Sequence, residues 1–390
     1  MSFQMYVPTR ILFGAGQLAS LHSQALPGKN AMIVISNGKS VRENGALAKT
    51  EEQLRLAGVS TVLFDKIMAN PLKSTVMEGA ACARENGCDF LVALGGGSVM
   101  DASKAIAAMA TNDGDLWDYV AGGTGKGKAL ENEPLPLVAI TTTAGTGSEV
   151  DQYGVISNDE TKEKIGFGGP DSLFPRLAVV DPDLMTSVPP KFTAYQGFDA
   201  LFHSVECYIA APANLMSDMY ALTAIEHIGT YLARAVKDGT DMEAREHVAF
   251  ANTLSGVVMT LSGCTSEHSM EHAMSAYHHD LPHGAGLIML SKAYFTHFIE
   301  KHACDERFIR MAKALGKPDA SAPQDFITAL ADLQEQCGVA DLKMSDYGIR
   351  PEEFMTLARN ARATMGGLFA CDRVPLSEEE CAAIFEKAYR

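Results

Sequence analysis

The run Phe90-Leu91-Val92-Ala93-Leu94 passes without interruption into Gly95-Gly96-Gly97-Ser98, and then into an amphipathic stretch from Val99 to about Ala110. An apolar run of this length closed by glycine predicts a strand buried on both faces, and the periodicity behind it predicts a helix. In that order the backbone can approach a pyrophosphate closely, while the unpaired N–H groups and positive dipole end of the helix face its charge. Gly95, Gly96, Gly97 and Ser98 are therefore candidate phosphate-binding positions. Ser98 and Asp101 have the spacing of a capping box, which adds Asp101 to the set. A capped turn with no ligand has the same local pattern.

The surroundings extend this unit. Residues 31–35, 59–64, 137–140 and 177–180 also read as buried strands, and 46–57 and 75–86 carry helical periodicity, so the first half repeats βαβ. A second polar loop, Thr141-Thr142-Thr143-Ala144-Gly145-Thr146-Gly147-Ser148-Glu149, follows the strand at 137–140. Thr142, Thr143, Thr146 and Ser148 suit ribose and phosphate oxygens, although the same segment could be a turn that caps a following helix. Gly14-Ala15-Gly16-Gln17-Leu18-Ala19 resembles a GxGxxA fingerprint, but the acidic residue expected about 20 positions on is Ser36. We read it as a tight turn into a helix.

Past Asp181 and the pair Pro189-Pro190 the strand pattern stops, and long Ala/Met/Leu-rich helical patterns cover 193–210, 217–236, 245–261 and 326–337. The expected organisation is an α/β parallel-sheet domain over 1–187 and an all-helical domain over 188–390. A chain of 390 residues fits two cores. The net charge of -16 repels phosphate backbones and anionic lipid, which argues against nucleic acid and membrane partners. No run approaches the roughly 18–20 apolar residues that span a bilayer, and the 8 cysteines form no CxxC pair. Reduced thiols and a cytoplasmic location are the expectation.

In the helical half, Asp199 and His203 stand four apart, as do His268 and His272, so each pair shares a helix face. His283 lies between Pro282 and Gly284 at an expected loop-to-helix junction. Three imidazoles and a carboxylate, without thiolate, suit Fe(II) or Zn(II) and admit other divalent ions. A single histidine on an amphipathic helix is more often a satisfied core or surface residue, and spacing alone leaves the choice of ligands open. His278-His279 reads as loop near the site.

Taken together, Gly95-Gly96-Gly97-Ser98 with Asp101, Thr142-Thr143-Ala144-Gly145-Thr146, Gly197-Phe198-Asp199-Ala200-Leu201-Phe202-His203 and the set His268, His272, Pro282-His283-Gly284 resemble the iron-containing alcohol dehydrogenase family, from Phe13-Gly14 to the C-terminus. The resemblance implies a Rossmann-like dinucleotide-binding domain, a helical metal-binding domain and a metal in the cleft between them. It also implies Asp199, His203, His268 and His283 as metal ligands with iron as the leading ion, His272 as the nearby catalytic histidine, Lys164 beside the nucleotide, and a homodimer or higher homo-oligomer. The implied reaction is hydride transfer between NAD or NADP and a small alcohol or aldehyde.

Three positions depart from the family pattern. The interval from His268 to His283 is one residue longer than in the best-known members, Asp151 stands where several relatives carry Thr, and the first strand is followed by Ser36-Asn37-Gly38-Lys39 where NAD-preferring members often carry Asp. A carboxylate there binds the ribose 2′-OH and repels a 2′-phosphate. Ser36 and Lys39 therefore admit NADP. Competing readings are a dehydroquinate-synthase-like or glycerol-phosphate dehydrogenase activity, disfavoured by few Lys or Arg near the ligand segments, and a metallohydrolase, which would leave both polar loops idle.

Overall fold

A computed structural model describes residues 2–390. The chain divides at Ser187/Val188 into an α/β unit and a helical unit, with residues 2–5 and Lys162–Lys164 assigned to the helical one.

The α/β unit is built on strands β1 (Arg10–Phe13), β2 (Asn30–Ser36), β3 (Ser60–Ile67), β4 (Phe90–Gly95) and β5 (Leu137–Thr141), the hairpin strands β6 (Tyr153–Asn158) and β7 (Glu163–Gly168), and β8 (Leu177–Val180). Six of them form one sheet in the order β1-β8-β5-β4-β2-β3, with every neighbouring pair parallel. Strands β4, β5 and β8 are buried throughout, which explains why their sequences are continuous apolar runs rather than alternating ones. Helices α1 (Ala46–Leu56), α2 (Lys73–Glu85) and α3 (Gly97–Met109) supply the connections. Strand β3 lies on one side of β2 and β4 on the other, so the winding reverses between β2 and β4. In open α/β sheets a ligand crevice forms at the carboxyl ends of strands at such a reversal, and here those ends carry Ser36 and Gly95.

Gly14–Ala19 is the structural turn expected of it. Gly16 has φ +77° and starts a 3-10 helix at Gln17, and the Asp181 carboxylate accepts from the N–H groups of Gly16 and Leu18, both at 2.9 Å. The groups a phosphate would need are already paired.

The helical unit comprises α4 (Pro190–Ile209), α5 (Leu215–Lys237), α6 (Met242–Leu261), α7 (Ser266–Tyr277), α8 (His283–Glu300), α9 (Asp305–Ala314), α10 (Asp325–Gln336), α11 (Phe354–Thr364) and α12 (Glu378–Ala388). Helix α4 starts at Pro190, where a missing N–H costs nothing, and from Thr193 onward nearly every residue is buried. Helix α7 is buried from Ser266 to Ala276 although its sequence is polar, with Glu267, His268, Glu271 and His272 inside. Charged and imidazole groups in such a place require mutual pairing. Among the described residues no single helix is long and apolar enough to cross a membrane, and all eight cysteines are free thiols.

Candidate functional site

In the α/β unit the two polar loops lie side by side. β4 and β5 are paired so that Gly95 is level with Thr141, and Thr142 N–H donates to the Gly95 carbonyl at 3.0 Å. A Cβ on Gly96 would fall 2.8 Å from Thr143 Oγ1, and one on Gly97 would fall 2.2 Å from Thr146 Cγ2. Glycine is thus required for the second loop to close on the start of α3. No side chain caps that helix; the N–H groups of Val99 and Met100 donate to the Gly96 carbonyl, which leaves those of Gly97 and Ser98 without an intrahelical partner. Ser36, Gly96, Ser98, Thr143 and Thr146 are only partly buried, and Lys39 is exposed. An uncapped helix start lined by partly exposed glycine and hydroxyl groups fits the pyrophosphate of a dinucleotide.

Asp101 and Ser148 correct the expectation. Both are buried. Asp101 does not cap its own helix: its carboxylate accepts from Ser148 Oγ at 2.7 Å and from Val155 N–H at 2.9 Å. Ser148 Oγ in turn accepts from Lys104 Nζ at 2.7 Å. They tie α3 to the Thr loop and to β6. Nor does the Thr loop cap a helix, since the next element is β6.

In the helical unit three separate segments meet at one atom. His203 Nδ1, His268 Nε2 and His283 Nε2 lie 3.5, 3.4 and 3.4 Å from Asp199 Oδ1. The α4 pair is placed by helix period. His268 comes from α7, and His283 is the first residue of α8. Gly284 brings α8 in: a Cβ there would sit 2.2 Å from the Tyr195 carbonyl oxygen, one turn before Asp199. Behind the cluster, His268 Nδ1 is hydrogen-bonded to Glu206 and His283 Nδ1 to Glu271. A carboxylate on the far nitrogen fixes the tautomer and aims Nε2 inward, as at metal sites where a carboxylate backs the ligand.

The electrostatics agree. Burial opposes charge on His268 and His283, but Glu206 beside the first and Glu271 beside the second prevail, lifting His268 well above and His283 above the usual histidine value. Burial alone would raise Asp199, yet His203 and His283 hold it well below the ordinary carboxylate range. The centre is set to hold positive charge between carboxylates, and its N/O donors fit a borderline divalent cation.

His272 is near but differently placed. Its ring is 5.3 Å from that of His283 and 6.2 Å from that of His268, and Nδ1 lies 2.8 Å from Met365 Sδ. Burial, and then the charges of Lys164 and its neighbouring imidazoles, push its pKa well below the usual value. Its surroundings therefore disfavour the imidazolium form. Lys164, expected beside the nucleotide, has its ammonium donating to Ser275 Oγ at 2.8 Å and to Glu271 Oε2 at 3.4 Å. Its observed partners belong with the imidazoles because Lys162–Lys164 is part of the helical unit.

Sequence reasoning missed Glu206 and Glu271. Each lies three residues after a clustered histidine, His203 and His268, on the same helix face, which was the available signal. Glu206→Gln and Glu271→Gln are each expected to weaken metal binding by about 10–100-fold while leaving the fold intact. Competition with a chromophoric chelator measures this, and unchanged affinity would deny the carboxylates their part.

Residues 8–182 match the iron-containing alcohol dehydrogenase family, and residues 193–389 match the C-terminal domain of the Fe-containing alcohol dehydrogenase family. The chain is 34% identical over 400 residues to a 1,3-propanediol dehydrogenase of Klebsiella pneumoniae, covering 100% of both, and 35% identical to a choline dehydrogenase of Bacillus subtilis (strain 168), covering 91% of this chain and 88% of the other. Among solved structures it resembles an archaeal halo-thermophilic alcohol dehydrogenase from a Red Sea brine pool, with a TM-score of 0.93 and 36% identity over 100% of this chain and 99% of that one. An oxidoreductase of the alcohol dehydrogenase type with a parallel-sheet domain and a helical domain is the class defined by the fold and these likenesses. The chain belongs to the iron-containing alcohol dehydrogenase family.

Proposed function

We propose that this chain is an iron-dependent, NAD(P)-linked alcohol dehydrogenase or aldehyde reductase acting on a small alcohol or aldehyde. The observation that carries the reading is the meeting of three imidazole nitrogens at Asp199 Oδ1, with carboxylates on the far nitrogens of His268 and His283. Asp199, His203, His268 and His283 would hold Fe(II), which when bound supplies Lewis-acid polarisation of the substrate oxygen. The nicotinamide supplies or accepts the hydride. The protein contributes position and proton handling. Gly96, Gly97 and Ser98 present N–H groups to the pyrophosphate, Thr143 and Thr146 border it, and Glu206 and Glu271 keep Nε2 of His268 and His283 facing inward. His272, beside the cluster, is the group able to accept the alcohol proton at a ring nitrogen and return it during reduction.

Anaerobic reconstitution with Fe(II), followed by oxidation of NADH and NADPH with a panel of small aldehydes and ketones, tests the reading. Turnover on at least one is expected, and none on any would overturn it. His272→Ala should retain metal while kcat falls by about 10²–10⁴-fold. Because Ser36 and Lys39 stand where a carboxylate would exclude a 2′-phosphate, kcat/KM with NADPH is expected to equal or exceed that with NADH. A strong preference for NADH would refute that assignment.

A further inference from the structure

Beside the nitrogen and oxygen donors lies a sulfur that the metal reading leaves unused. Cys264 belongs to the short connection between α6 and α7, and its Sγ and one ring nitrogen each of His203 and His268 lie within 4.8 Å of one another. Asp199, His268 and His283 meet the same limit. Bonds of about 2.0–2.3 Å to one tetrahedral ion set donors roughly 3.5 Å apart, so both triads need only a modest contraction. The connection is pinned on both sides of the cysteine: Ser262 Oγ donates to the Cys207 carbonyl at 2.8 Å, and Thr265 Oγ1 donates to Glu206 Oε2 at 3.1 Å. Cys264 is therefore held against the segment of α4 that follows His203. Cys207 Sγ lies 4.0 Å from Cys264 Sγ, fully buried. Its S–H can donate to a thiolate at Cys264, the kind of outer contact that supports a ligand.

We propose that Cys264 gives this centre a second, sulfur-containing ligand set, His203, His268 and Cys264, which takes soft divalent ions of the cadmium and zinc class. This rests on the metal reading above but adds a donor to it. Thiolate selects softer ions, whereas the carboxylate of Asp199 suits harder ones. Binding replaces the S–H bond by S–metal and releases that proton to solvent, together with any proton carried by the ligating imidazole nitrogens, with no change of oxidation state. The two sets share His203 and His268, so they compete for one ion and do not fill together.

The probe is Cd(II), titrated anaerobically into metal-free protein and followed by ultraviolet thiolate-to-metal charge transfer together with metal content. The wild type is expected to show the band growing to one equivalent. Cys264→Ser should lose it while still binding one equivalent of Fe(II), which also reports that the variant is folded, and Cys207→Ser should keep it. Asp199→Asn should lose Fe(II) yet retain the cadmium band. One equivalent of Cd(II) without a thiolate band, or a band unchanged in Cys264→Ser, would overturn the sulfur set and leave the iron reading standing. Fe(II) binding indifferent to Asp199→Asn would instead count against the iron reading, whatever cadmium does.

Discussion

Asp199→Asn is expected to strip the centre of iron and to lower kcat/KM by on the order of 10³-fold or more, because several kcal/mol of charge stabilisation at the reacting oxygen would leave with the ion. Oδ1 of Asp199 is the atom that His203, His268 and His283 all approach, at 3.4–3.5 Å. Asparagine keeps its shape but removes the charge that balances the cation. The substitution should spare the fold, since the apolar packing of α4 around it, including Phe198, Leu201 and Phe202, is untouched. His268→Ala should lose metal as completely but cost stability too, since it leaves the buried Glu206 carboxylate without its imidazole. Metal content after reconstitution and desalting, read with turnover and the circular dichroism of each variant, separates the two. Wild-type iron in folded Asp199→Asn would remove this residue from the donor set.

The contrast between these variants shows where sequence reading succeeds. Asp199 and His203 were legible as partners because helix period fixes which residues share a face, and the same rule placed His268 with His272. Period says nothing about which nitrogens from different helices converge. His283 joins the cluster and His272 stands beside it because of where α8 starts and how closely Gly284 packs on Tyr195, which are tertiary facts. Strands β2, β4, β5 and β8 were legible because a parallel sheet covered on both faces leaves continuous apolar runs, whereas the hairpin strands β6 and β7, which lie outside that sheet, were missed. Asp101 was misread for the opposite reason. Its spacing from Ser98 matched a local motif, but the partners it took, Ser148 and Val155, come from segments more than 40 residues away. Cys264 left no signal at all, lying outside any periodic element.

The misreading of Asp101 leads to the residue on which the α/β unit should depend most. Lys104 is fully buried, and its ammonium donates to Ser148 Oγ at 2.7 Å, Asp151 Oδ1 at 2.7 Å and the Tyr153 carbonyl at 2.6 Å. Two carboxylates depend on that one cation. Burial pushes Asp101 up to about 6 even with the nearby ammonium of Lys104 pulling it down, and burial raises Asp151 as well, against the same charge. Lys104→Met fills a similar volume but strands Asp151, and removing one partner of a buried pair typically costs about 3–5 kcal/mol. Trp117, the one tryptophan of the chain, is buried in this unit and reports its unfolding by fluorescence in urea. A second substitution makes the test sharper. Asp151→Thr in the Lys104→Met background removes the stranded charge, so the double variant should recover a large part of the loss, a non-additivity that independent sites would not show. The same network joins α3 to the Thr loop, so Lys104→Met should raise the KM for the dinucleotide before it changes kcat. A loss below about 1 kcal/mol for Lys104→Met, within the range of ordinary surface ion pairs, would show that the buried cation is dispensable.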